Sequence, residues 1–278
     1  VSAEATRATL KFAALALLMA LAGLTGVALL VLFTIAATTR RWELVGRVAT
    51  RPQRIPPALL VDAFLFYLML YKLGSLGLGA LLRALKATTP IPWLLGLQVV
   101  SGIAAIFYTR WRARQSGVSL GELGLTRERL GSDLLYGVAG WCAALPLVFV
   151  FGFLSQKLFH GSGATPNPVL PLLAAERTPL SRALIFAMAA LGAPIFEELF
   201  FRGVLFSAFR RVGPWGLAVA LSGAIFALVH PMQDWLPILV LGVAFGTLRE
   251  LRQSLVPGIV AHFLQNAFAF LMLTSLLG

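Results

Sequence analysis

The chain has 278 residues, 59% of them hydrophobic and 12% charged, with a formal net charge of +12. Soluble domains carry about 25% charged residues, so a soluble globular fold is excluded. The apolar runs are continuous rather than alternating, which excludes an outer-membrane barrel and leaves an all-α, polytopic membrane helix bundle.

Apolar runs of near bilayer length give about eight spans, close to 12–37, 57–82, 91–108, 134–154, 181–208, 215–230, 235–249 and 255–277. The chain opens Val1-Ser2-Ala3-Glu4, and Arg7 and Lys11 precede the first run in the manner of a signal peptide. That run, Phe12 to Ala37, is too long for a signal core and is closed by Arg40-Arg41, so it reads as the first span. The second is interrupted by Asp62 and Lys72. Its Gly74, Gly77 and Gly79 resemble a dinucleotide fingerprint only in outline; no strand precedes them, and they read as small-residue helix packing.

Arginines gather in four loops: Arg40, Arg41, Arg47, Arg51 and Arg54; Arg110, Arg112, Arg114, Arg127 and Arg129; Arg210 and Arg211; Arg249 and Arg252. The rule that short basic loops stay inside puts all four on the cytoplasmic side and both termini on the other. The excess charge is thus topological, and no nucleic-acid partner is expected. The Pro- and Gly-rich stretch from Ser155 to Pro179 falls on the far side. Within the longest basic loop, Leu120 to Leu125 is an apolar patch suited to an interfacial helix, and Ser132 or Asp133 is placed to cap the fourth span. Cys142, the single cysteine, sits in an apolar run as a packing residue.

Three polar clusters lie inside apolar segments near the C-terminal end. A charged side chain at the bilayer centre costs roughly 2.5–3.5 kcal/mol on insertion scales, so such groups default to functional hypotheses. In the fifth span Glu198 and Arg202 are four apart and share a helix face, so each can neutralise the other. Glu197 points elsewhere and lacks such a partner in its helix, which suits a general base. Pro194, one turn earlier, is placed to kink the helix and admit water. Phe226 and His230 share a face at the end of the sixth span, where His230 precedes Pro231 and closes the helix. His262 and Asn266 share a face of the eighth and offer donors for a developing oxyanion. At 1.5 Å per residue, Glu197 lies about 20 Å from Arg210, His230 about 22 Å from Trp215 and His262 about 12 Å from Ser254. All three can share a layer nearer mid-membrane than either surface. Each cluster alone has a plainer reading, as a structural ion pair or as polar glue between helices.

Taken in order, Glu197-Glu198-x-x-x-Arg202, Phe226-x-x-x-His230 and His262-x-x-x-Asn266 resemble the CPBP family of intramembrane proteases, which includes type II CAAX prenyl endopeptidases and bacteriocin-processing or immunity relatives. The resemblance covers roughly residues 120–275 and divides the chain into N-terminal spans and basic loops over 1–119 and a protease-like core over 120–278. It implies that Glu197 and His230 activate the attacking water, that His262 and Asn266 stabilise the oxyanion, and that Glu198, Arg202 and Phe226 support the site. The implied function is hydrolysis of a peptide bond near the C-terminus, or in a membrane-proximal segment, of a membrane-associated substrate, possible prenylation included. The setting is the bilayer of an integral, multi-pass protein, in the cell membrane if the source is bacterial. No cofactor is favoured. Zinc remains open, with Glu197, His230 and His262 as the ligand set, although the compact His-Glu-x-x-His signature is absent. The alternatives are a non-catalytic scaffold or immunity protein of the same fold, and a small transporter, for which no repeated halves are visible.

Overall fold

The computed structural model describes residues 3–50, 54–68, 80, 84, 91–159 and 178–277. Lys72, Arg51, the glycines at 74, 77 and 79, and most of the Pro- and Gly-rich stretch lie outside the described residues. Among those described, every regular element is helical. The long helices are α1 (Ala3–Thr39), α2 (Pro57–Leu68), α3 (Ile91–Gln115), α4 (Leu130–Phe159), α5 (Pro179–Val212), α6 (Trp215–Leu228), α7 (Trp235–Arg252) and α8 (Val256–Leu277). Four contain segments long and apolar enough to cross a bilayer: Met19–Thr39 in α1, α4, α5, and Val256–Thr274 in α8. The chain is therefore an all-α integral membrane protein. At 14 residues α6 is about 21 Å long, short of a hydrocarbon core of about 30 Å.

Helix α4 is the hub, packed against α1, α7 and α8. Helices α6 and α7 form a tight hairpin. A Cβ on Gly242 would come within 2.8 Å of the Gly223 backbone, so only glycine permits that crossing. Ser155, near the end of α4, donates to the Gln233 carbonyl at 2.7 Å and ties down the hairpin tip.

Helix α5 is capped by Thr178, whose hydroxyl accepts from the Ser181 amide, with Pro179 in the first turn. It is then interrupted twice by π-helical turns, Ala187–Gly192 and Leu199–Leu205, which flank Pro194 and the two glutamates. The predicted distortion near Pro194 is thus real, and it takes the form of widened turns. Such turns leave backbone carbonyls short of donors, and neighbouring helices supply them. Asn266 Nδ2 donates to the Ala189 carbonyl at 2.8 Å, and Arg249 Nε donates to the Arg202 carbonyl at 3.3 Å.

The four arginine-bearing loops meet at one end of the bundle. Glu250, 2% exposed, holds Arg47 at 2.8 Å and Arg210 at 3.1 Å. Arg252 pairs with buried Asp133 at 2.9 Å and donates to the Gly46 carbonyl and the Ser132 hydroxyl. Arg249 reaches the Glu122 carbonyl at 2.8 Å. Two local expectations fail here for one reason. Residues 120–125 form a chain of turns rather than a helix, with Leu123 wholly buried beside Ile55 and Val204, because the segment is stitched inward by Leu255 N–H donating to the Gly124 carbonyl. Ser132 and Asp133 do not cap α4, which starts at Leu130; both side chains serve Arg252 instead.

Candidate active site

Helices α5, α6, α7 and α8 bring the three polar clusters around a common aromatic floor. Glu198 and Arg202 are both fully buried and meet at 2.9 Å as the one-turn pair expected from their spacing. The same carboxylate oxygen of Glu198 receives His262 Nδ1 at 3.1 Å from α8. Arg202 also donates to the Gly242 carbonyl at 3.2 Å, and its guanidinium lies 4.3 Å from the Phe226 ring centre. The other Glu198 oxygen is buried without a hydrogen-bond partner. It faces Gly258, where a Cβ would stand 2.7 Å away, so glycine is what lets α8 close over the carboxylate.

Glu197 diverges from Glu198, as adjacent helical positions must, and stays 27% exposed. Its Oε2 lies 3.7 Å from His262 Nε2. His262 is 5% exposed and therefore stands between the two carboxylates, one at each ring nitrogen. Its ring stacks on Phe245 at 5.0 Å and meets Phe226 edge-on at 5.7 Å. His230 sits across the same Phe226 ring at 4.9 Å.

Helix α6 ends at Leu228 with Val229 as its cap, so His230 lies just beyond the helix instead of closing it. Its Nδ1 lies 2.7 Å from the Phe226 carbonyl. A carbonyl only accepts, so Nδ1 is the donor in this contact, and in the neutral imidazole Nε2 is then the acceptor. The Trp235 indole donates to the His230 carbonyl at 2.9 Å and fixes the turn. In that turn, burial holds the Asp234 carboxyl above the usual carboxylate range, with His230 drawing it the other way. Asn266 lies one turn beyond His262, with one amide hydrogen already given to Ala189.

Among the described residues, no three His, Cys, Asp or Glu side chains are grouped to hold an ion. Glu197 and Glu198 address opposite nitrogens of His262. Sequence reading also passed over two contributors. Gly258 lies one turn before His262 on the same face, and Phe245 lies inside Gly242-x-x-x-Gly246, a small-residue packing pattern that marks α7 as a close neighbour.

Residues 179–268 match the family described as Rce1-like, type II CAAX prenyl endopeptidase Rce1-like. The chain is also 24% identical over 147 residues to a Bacillus subtilis (strain 168) protein named "Putative membrane peptidase YdiL". That similarity takes in 52% of this chain and 59% of the relative's length. No solved structure matches. The family match begins at α5 and ends just past Asn266, so the similarity to the type II CAAX prenyl endopeptidases encloses all the side chains gathered around Phe226.

Proposed function

We propose that the chain is an intramembrane endopeptidase that hydrolyses a peptide bond near the C-terminus, or in a membrane-proximal segment, of a membrane-associated protein. A prenylated tail of the kind in the family's description is the leading substrate class. The observation that carries this reading is His262 held between a buried, arginine-neutralised carboxylate and a partly exposed one.

The chemistry follows from donor and acceptor counts. Ionised Glu198 accepts the proton on His262 Nδ1, so Nε2 is an acceptor facing Glu197 Oε2 across 3.7 Å. Two acceptors at that separation are satisfied by one water that donates a hydrogen to each. As Glu197 takes the water proton, the oxygen attacks the scissile carbonyl carbon and the carbonyl electron pair moves onto its oxygen. The second amide hydrogen of Asn266 is a donor for that oxyanion. Collapse of the intermediate breaks the C–N bond, and the proton held by Glu197 passes to the leaving nitrogen. His230, with Nε2 unprotonated across Phe226, is a second base at the same floor.

The test compares the C-termini of membrane proteins in cells carrying the wild type and Glu197→Gln, which keeps the shape of the side chain and removes the base. A tail that accumulates uncut only in the variant, with the protein still folded, is the expected result. Identical termini in the two cell lines would leave the scaffold reading in its place.

A further inference from the structure

One cavity does not include the polar side chains of the candidate site. A partly open slot of about 570 Å³ runs between α1, α4 and α7, within the range of about 300–1,000 Å³ that holds a small ligand. Leu29 and Phe33 of α1, Ala143 and Phe151 of α4, and Val240 and Leu251 of α7 are among its walls. Only Tyr136 and Thr247 among the lining residues have polar side chains, and the Thr247 hydroxyl is satisfied by the Val243 carbonyl at 2.8 Å.

Shape narrows the occupant. From Leu135 to Phe151 the α4 wall is about 24 Å long at 1.5 Å per residue, an elongated shape that suits an extended hydrocarbon chain. Polarity is also asymmetric. Tyr136 stands at the basic end, with the Arg252 guanidinium 4.2 Å from its ring centre. The chain between two lining residues, Phe33 and Leu44, carries Arg40 and Arg41. Both are exposed, with no side-chain partner among the described residues, whereas neighbouring Arg47 is tied to Glu250. Glu43 is exposed nearby and offsets one charge. An apolar slot whose lining chain carries two exposed arginines between Phe33 and Leu44 matches an amphiphile with a long tail and an anionic head.

We propose that this slot seats one acyl chain of an anionic glycerophospholipid whose phosphate lies against Arg40 and Arg41. The site is independent of the hydrolytic reading and stands or falls separately. The test uses the purified full chain titrated with dioleoyl-phosphatidylglycerol or dioleoyl-phosphatidylcholine, with retained lipid counted by native mass spectrometry. A phosphatidylglycerol carrying a mid-chain diazirine then maps the contact. The expected preference for phosphatidylglycerol is on the order of tenfold, from two basic side chains at a membrane surface. Adducts should fall on the α4 and α7 walls. Arg40→Ala with Arg41→Ala should remove the preference but leave phosphatidylcholine binding unchanged. Ala143→Phe should fill the slot and abolish the adducts, with thermal unfolding and elution checked; Ala139→Leu serves if that variant does not fold. Equal retention of the two lipids, adducts that persist in the filled variant, or a slot taken by farnesyl-cysteine methyl ester in preference to phosphatidylglycerol would each overturn the proposal.

Discussion

Glu198 makes both of its recorded contacts through one oxygen, to Arg202 and to His262, in a place without solvent. The Glu-x-x-x-Arg spacing was enough to pair the first two, because helix geometry puts residues four apart on one face. The third partner was not legible, since nothing in a linear pattern says which face of α8 turns toward α5. Burial sets the energetics. A buried ion pair is weak evidence for stability, but loss of one partner strands the other, at about 3–5 kcal/mol. Arg202→Met should therefore cost that much in unfolding of the purified protein. Glu198→Gln together with Arg202→Met should recover most of it, because both charges are then gone. A single variant within 1 kcal/mol of wild type, in the sense that an exposed pair would be, would mean that the two side chains are solvated.

At the scale of elements, what positions the imidazoles is the closeness of α6 and α7. Hydropathy located both helices, but α6 stops at Leu228, two residues short of the expected end at His230. The two π-helical turns of α5 were not legible, because an added residue per turn leaves an apolar run looking unchanged. Nor was the α6–α7 crossing, which depends on Gly223 meeting Gly242. The Gly242 carbonyl is also an acceptor for Arg202, so this crossing is mechanically joined to the polar site. Gly242→Ala should destabilise by about 1–3 kcal/mol through overpacking, since the obstacle is backbone that cannot rotate away. Gly216→Ala is the control: it lies in α6 with open space around it, and loss of a helical glycine there should be neutral or stabilise by up to about 1 kcal/mol. Chemical denaturation of both variants decides the matter; equal effects would mean that the helices are not in close contact.

For the whole molecule, the arginine count grouped the four loops that share one end of the bundle and missed what that end does. Loop charge assigns sides because basic residues resist translocation, and the four loops do gather together. That rule counts charges without regard to partners, so Arg249 and Arg252 read as labels on a short loop, and Glu250 between them went unread. They are instead buried ties among segments far apart in sequence. Glu250 is the central one, joining the chain after α1 through Arg47 to the end of α5 through Arg210. The Val48 amide, which donates to the Leu251 carbonyl at 2.9 Å, runs beside the same tie. Glu250→Gln keeps the volume and removes the charge that both guanidinium groups face, so the chain near Arg47 should loosen while the helices persist. Limited trypsinolysis of the folded protein should then cut after Arg47 several-fold faster than in wild type, with helix content by circular dichroism unchanged. Raised salt should not reproduce this in wild type, because a 2% exposed carboxylate is little screened. Cleavage at the wild-type rate would show that the loops hold together without Glu250, and that the end of the bundle is closed by its backbone contacts alone.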